Sequence, residues 1–143
     1  MKGPRIHTES QYCRDCQACT LACSLYHEGE CNLYLARLSV TKDMARYKFD
    51  LRVCRHCDDP PCVQACPTDA LTLNNLGIAS ISPERCILCG NCASACPYSA
   101  IFYDSRSDRY LKCDLCFDRE GGPLCVEICP VGALTLSEQE EVI

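Results

Sequence analysis

From residue 38 to residue 53 apolar and polar positions alternate. Leu38 and Val40, then Tyr47, Phe49, Leu51 and Val53, are separated by Ser39, Thr41, Lys48, Asp50 and Arg52. A period of two belongs to half-buried strands, so this segment predicts a hairpin turning at residues 42–46. Shorter β-like runs follow at 70–73, 100–103 and 133–136. Residues 78–81 can pair back on the first of these through Asn74-Asn75-Leu76-Gly77, a hairpin signal. Residues 101–104 and 109–112 predict another hairpin around 105–108. Helical signal is confined to single turns: Cys19/Cys23, Cys62/Cys66, Cys92/Cys96 and Cys125/Cys129 each stand four apart, ~6 Å of helical rise. Pro67, Pro97 and Pro130 follow three of these pairs and stop the turn. No stretch approaches the ~20 apolar residues of a membrane span.

Composition changes this picture, because 17 of the 143 residues are cysteine. Without them the apolar share falls from 48% to about 36%, and Leu, Ile, Val and Phe together number only 31. That is close to the range of chains too apolar-poor to fold alone. Something other than side-chain packing should organise the interior, and bound metal would make its binding energy folding energy. The metal-free chain is expected to lack a stable fold.

Sixteen of the cysteines form four quartets: Cys13, Cys16, Cys19, Cys23; Cys54, Cys57, Cys62, Cys66; Cys86, Cys89, Cys92, Cys96; and Cys113, Cys116, Cys125, Cys129. The first and third have compact x2, x2, x3 spacing; the second and fourth open the middle gap to four and eight residues. The compact spacing with a closing Cys-Pro is that of ferredoxin loops for 4Fe–4S clusters, in which the fourth cysteine ligates the other cluster of a pair. The second and fourth quartets also continue alike, as Ala70-Leu71-Thr72-Leu73 and Ala133-Leu134-Thr135-Leu136. The chain therefore reads as a duplicated two-cluster unit.

Quartets two and three are neighbours and should pair, leaving one and four to pair across the chain. Cluster A then takes Cys13, Cys16, Cys19 and Cys129; cluster B takes Cys113, Cys116, Cys125 and Cys23. Cluster C takes Cys54, Cys57, Cys62 and Cys96; cluster D takes Cys86, Cys89, Cys92 and Cys66. The fold class expected is α+β, two interlocked bacterial-ferredoxin-like units of short helices and β-hairpins. An inner unit, 54–103, is inserted in an outer one made of 1–53 and 104–143.

Two rivals account for the cysteines differently. A secreted disulfide scaffold is disfavoured by the odd count, the recurring C-x2-C pairs and an opening stretch without a signal-like apolar run. Zinc sites also use C-x2-C pairs, but draw them from separate knuckles rather than from 11 to 17 consecutive residues. The fourth quartet, with insert 117–124, is the loosest.

The formal charge is −5, and four clusters with their thiolates would take it to roughly −13, at about −2 each. Nucleic acid is thereby excluded as a partner. Arg46, Lys48, Arg52, Arg55 and His56 gather locally, as a solvated hairpin face or a docking patch. His56, inside a C-x2-C pair, either hydrogen-bonds a cluster sulfur or faces solvent. His27 closes the first helix. Cys31 reads as a small buried hydrophobe. The acidic segment after Leu136 reads as a solubilising tail.

The segment Arg55-His56-Cys57-Asp58-Asp59-Pro60-Pro61-Cys62 resembles the second cysteine motif of the four-cluster electron-transfer subunits. These are the small iron–sulfur partners of molybdenum and tungsten oxidoreductases; related subunits serve certain hydrogenases and carbon monoxide dehydrogenases. The run Cys19-Thr20-Leu21-Ala22-Cys23-Ser24-Leu25-Tyr26-His27-Glu28-Gly29 is similar to the short soluble branch, which includes small subunits of tungsten aldehyde oxidoreductase and tungsten benzoyl-CoA reductase. The resemblance covers residues 10–136. It implies the same pairing, a nearly linear file of clusters, and a large catalytic partner with a tungsten- or molybdenum-pterin site.

The long C-terminal extension of larger members is missing, as is any recognisable membrane-anchoring surface, which favours a soluble complex over a quinone-linked membrane one; the expected address is a reducing cytoplasm, in anaerobic metabolism. The expected function is a non-catalytic relay of single electrons through four 4Fe–4S clusters, between the catalytic subunit and a further electron carrier or flavoprotein. The alternatives are a free polyferredoxin and the relay subunit of a hydrogenase or carbon monoxide dehydrogenase; a zinc-organised interaction module is the third class.

Overall fold

The computed structural model describes residues 4–137. Eight strands form four antiparallel two-stranded sheets, and four α-helices and two 3-10 turns lie among them. The chain's two ends meet: β1 (Arg5–Thr8) pairs with β8 (Leu134–Ser137), placing Ile6 opposite Leu136. Ile6 is 1% exposed. Sequence reasoning missed β1, since its four residues contain a single apolar one and its partner lies at the far end of the chain.

The expected hairpins form. In β2 (Leu38–Asp43) and β3 (Lys48–Val53), Leu38 stands opposite Val53 and Val40 opposite Leu51. Phe49, Leu51 and Val53 face inward while Lys48, Asp50 and Arg52 are exposed. Tyr47 departs from the expected strand: it is an exposed turn residue at φ 55°. Between β4 (Leu71–Leu73) and β5 (Ala79–Ile81), the Asn74 side-chain oxygen accepts from the backbone N–H groups of Leu76 and Ile78. This side chain imitates a backbone turn, and Gly77 supplies the left-handed φ of 76°. The fourth sheet joins β6 (Ile101–Asp104) to β7 (Arg109–Lys112). Its turn is held by Asp104, whose carboxylate accepts from the Arg106 N–H at 3.1 Å and pairs with Arg109 at 3.3 Å.

Three helices are single turns, α2 (Pro61–Ala65), α3 (Asn91–Ala95) and α4 (Leu124–Ile128). The helix of the first quartet, α1 (Ala18–Glu28), runs for 11 residues. Ser24 stands where the other quartets have proline, so the backbone continues to Gly29, whose N–H donates to the Leu25 carbonyl at 3.0 Å. His27 lies in the last turn, as expected. α1 packs on α4, and α2 on α3.

Buried side chains form two cores. The larger collects Ile6, Leu38, Leu51, Val53 and Leu134 around Cys13, Cys19, Cys23, Cys113 and Cys125. The smaller holds Cys62, Leu71, Cys92 and Ile101. Cysteines thus occupy the centre of both, where an ordinary domain has large aliphatics. Among the described residues no helix is long and apolar enough to cross a membrane. The acidic segment 138–143 lies outside the described residues.

Candidate metal centres

Each C-x2-C pair contains a residue of unusual backbone. Asp15, His56, Leu88 and Leu115, immediately before the second cysteine of each quartet, have φ of 57°, 45°, 60° and 59°. For residues with a Cβ this conformation costs roughly 1–2 kcal/mol. The turn it makes folds the loop onto its own sulfur: the N–H groups of His56 and Leu115 donate to Cys54 Sγ and Cys113 Sγ, both at 3.4 Å.

Compact and expanded loops enter their helices differently. Gln17 (φ 62°) and Gly90 (φ 76°) are left-handed residues at the starts of α1 and α3. Pro60 and Pro123, in extended backbone, serve α2 and α4. The eight-residue insert of the fourth quartet is a closed turn: the Arg119 guanidinium donates to the Gly122 carbonyl at 2.8 Å and to Glu127 at 2.7 Å.

A second repeat follows the last cysteine of quartets two, three and four. Asp69, Ser99 and Gly132, two residues after the proline, have φ of 54°, 50° and 65°, and each precedes a buried alanine, Ala70, Ala100 or Ala133. The returning backbone donates to sulfur: Ala100 N–H to Cys96 Sγ at 3.5 Å, and Ala133 N–H to Cys129 Sγ at 3.3 Å. Cys23 has no proline turn behind it and receives the Arg37 N–H instead, at 3.3 Å.

These turns bring the sixteen cysteines to the walls of four cavities. Cys13, Cys16, Cys19 and Cys129 line one of ≈ 330 Å³, and Cys23, Cys113, Cys116 and Cys125 one of ≈ 320 Å³. Cys54, Cys57, Cys62 and Cys96 line a third, of ≈ 400 Å³, and Cys66, Cys86, Cys89 and Cys92 a fourth, of ≈ 330 Å³. Each is walled by three cysteines of one quartet and the last cysteine of another. A wider groove of ≈ 1110 Å³ touches only Cys86.

Burial makes eight of these thiols poorer acids. It pushes Cys19 and Cys125 up to about 12 and Cys23 to about 11. Two of the cysteines that close a quartet are lowered. The Thr68 N–H leads in lowering Cys66. Burial raises Cys129, but the N–H groups of Val131, Ala133, Leu134 and Gly132 outweigh it. Groups that stabilise sulfur's negative charge are those a metal–thiolate site needs.

Charged side chains surround the cavities unequally. Beside Cys116, His27 Nε2 lies 3.6 Å from its sulfur and 3.7 Å from the Asp114 carboxylate. Arg37 reaches both Asp114 and Glu28, at 3.7 and 3.4 Å. His56 is not part of an exposed basic face: it is 4% exposed and lines the cavity of Cys54. Burial, with Lys112 and Arg5 nearby, pulls it down to about 3, so the ring is neutral. Neither ring nitrogen has a partner. Lys112, which the sequence analysis did not single out, is 5% exposed and lines the same cavity. Cys31, expected to be buried, is exposed in the loop beyond Gly29. Small size favours burial of a free cysteine, but here the helix has ended and no core reaches it.

The sequence matches the 4Fe-4S dicluster domain over residues 45–139 and the 4Fe-4S binding domain over residues 10–26. The chain belongs to the 4Fe-4S dicluster family. Within it, the chain is 35% identical to the putative electron transport protein YsaA of Escherichia coli, over 96% of this chain and 91% of the relative. It is 32% identical to the thiosulfate reductase electron transfer subunit PhsB of Salmonella typhi, over 95% and 76% respectively. A solved structure of the active site complex BamBC of benzoyl coenzyme A reductase contains a similar chain. The match has a TM-score of 0.58 and 27% identity, over 95% of this chain and 80% of the other. The ferredoxin-like α+β fold and 4Fe–4S chemistry expected of the sequence are those of this dicluster family.

Proposed function

We propose that the chain is the non-catalytic relay subunit of an oxidoreductase complex, carrying single electrons through four 4Fe–4S clusters. Cluster A is held by Cys13, Cys16, Cys19 and Cys129, and B by Cys113, Cys116, Cys125 and Cys23. Cluster C is held by Cys54, Cys57, Cys62 and Cys96, and D by Cys86, Cys89, Cys92 and Cys66. The observation that carries this reading is the set of four cavities of similar size, each walled by four thiols. Four thiolates are the ligand set of a 4Fe–4S cluster.

The clusters form a file in the order A, B, C, D. Cys19 acts on Cys125 between A and B, and Cys54 on Cys113 between B and C. Cys62, Cys66, Cys92 and Cys96 share the core between C and D. Of the sixteen cysteines, only Cys16 and Cys89 are exposed, and they belong to A and D. Buried interior sites with one open sulfur at each end suit a wire. The division into an outer unit (1–53 with 104–143) and an inner one (54–103) is supported by the β1–β8 pairing, which joins the two segments of the outer unit.

The partner is a large catalytic subunit with a molybdenum- or tungsten-pterin site, in a cytoplasmic complex. Relatives named as subunits of thiosulfate and dimethyl sulfoxide reductases support it, as does the benzoyl coenzyme A reductase complex. Anaerobic purification from the native source tests both halves. About 16 irons per chain and a stoichiometric larger subunit containing tungsten or molybdenum are expected. A chain isolated alone points to a free polyferredoxin, and a colourless zinc protein refutes electron transfer.

A further inference from the structure

Lys112 ends β7, directly before Cys113, and its ammonium is buried. It donates to the carbonyls of Ala79 at 2.8 Å and Cys113 at 3.2 Å. An ammonium carries three N–H donors, and Lys112 forms no ion pair with a carboxylate among the described residues. Burying a cation without a counter-ion is costly, so this position calls for a negative group beside it. The adjoining cavity is that of Cys54, Cys57, Cys62 and Cys96. His56, on the same wall, has both ring nitrogens unpartnered, although a neutral imidazole offers one donor and one acceptor. An ammonium without a carboxylate and a ring without partners therefore line one cavity.

The other three cavities lack such a pair. Arg14, beside Cys13, is exposed, so solvent screens it. Arg37 and His27, beside Cys23, are offset by Asp114 and Glu28. No lysine, arginine, histidine or carboxylate lines the cavity of Cys86.

We propose that Lys112 and His56 are positioning residues that hold up the reduction potential of cluster C above all, Lys112 as its buried counter-ion and His56 as a hydrogen-bond donor to one of its sulfurs. This rests on the four-cluster reading above. A cluster with its thiolates carries about −2 when oxidised and −3 after accepting one electron. The reduced form gains most from a fixed nearby cation and a sulfur hydrogen bond. The electron comes from one neighbouring cluster and passes to the other; no bond is made or broken. Interior burial, which favours the less charged oxidised form, would otherwise leave cluster C a barrier in mid-file.

The test is a potentiometric titration of the holoprotein, followed by electron paramagnetic resonance, with Cys57→Ser used to assign the cluster C signal. Lys112→Met is expected to lower that signal's potential so that its reduction equilibrium falls at least tenfold, 59 mV for one electron. The signals of A and D should stay in place, that of B, whose Cys113 adjoins Lys112, should move less than that of C, and Lys112→Arg should restore the potential. His56→Asn shifts the same signal in the same direction, and carries the test alone if Lys112→Met does not assemble. An unmoved cluster C signal, or an equal shift in all four, overturns the inference. Wild-type protein without four clusters overturns instead the reading it rests on.

Discussion

Ile6, in the first strand, stands directly opposite Leu136, in the last, and Ile6 packs in the same core as Cys13, Cys19 and Cys125. The two ends of the chain are thus joined at the place where the first and fourth quartets share their cysteines. Cys129 is carried to Cys13 by the strand that follows it, and β1 holds that strand.

Ile6→Ala removes most of a fully buried side chain, a change that costs on the order of 2–5 kcal/mol. The expected outcome is an earlier denaturant midpoint for bleaching of clusters A and B, with C and D bleaching later. Simultaneous loss of all four at the wild-type midpoint would show that the strand pairing contributes nothing.

Cys129→Ser is expected to abolish the signal of cluster A and leave cluster B, although Cys129 belongs in sequence to the quartet of B. Electron paramagnetic resonance of the reduced variant, with iron analysis, reads this directly. Loss confined to cluster B would refute the exchange of fourth ligands.

Iron removal should unfold the chain. With cysteines at the centre of both cores, the metal-free protein buries mutually repelling or protonated thiols and little aliphatic mass. Chelation under reducing conditions is expected to abolish the far-ultraviolet dichroism of the strands together with cooperative melting. A native-like melt of iron-free protein would show that side-chain packing alone sustains the fold.

Gly90 adopts φ +76°, and a Cβ there would lie 2.9 Å from the Tyr110 hydroxyl oxygen. Gly90→Ala is expected to lose about 1–2 kcal/mol from the left-handed backbone, with a further loss from displacing Tyr110, and to weaken cluster D first. Adding Tyr110→Phe should recover the second loss and leave the first. Thermal bleaching followed at cluster D measures both.

The cysteine spacings determined much by themselves, because a cluster's ligands must converge from a short loop. The single-turn helices, the prolines that end three quartets and the hairpins at residues 38–53, 71–81 and 101–112 follow from local patterns and were legible. Local patterns also suggest the grouping of cysteines proposed above, since ferredoxin chemistry places each fourth cysteine on a partner cluster. The rest depends on segments far apart in the chain. β1 exists because β8 is there to pair with it; α1 runs long because Ser24 replaces a proline; Cys31 is exposed because no core reaches its loop.

Above all, the surroundings of each cavity came only from the tertiary structure. Lys112 is unremarkable as a letter before Cys113, and His56 reads equally as a solvent-facing loop residue. Burial turns one into a cation without a counter-ion and the other into an unsatisfied ring. Burial is a property of what packs over a residue, and for both of these the covering segments come from elsewhere in the chain.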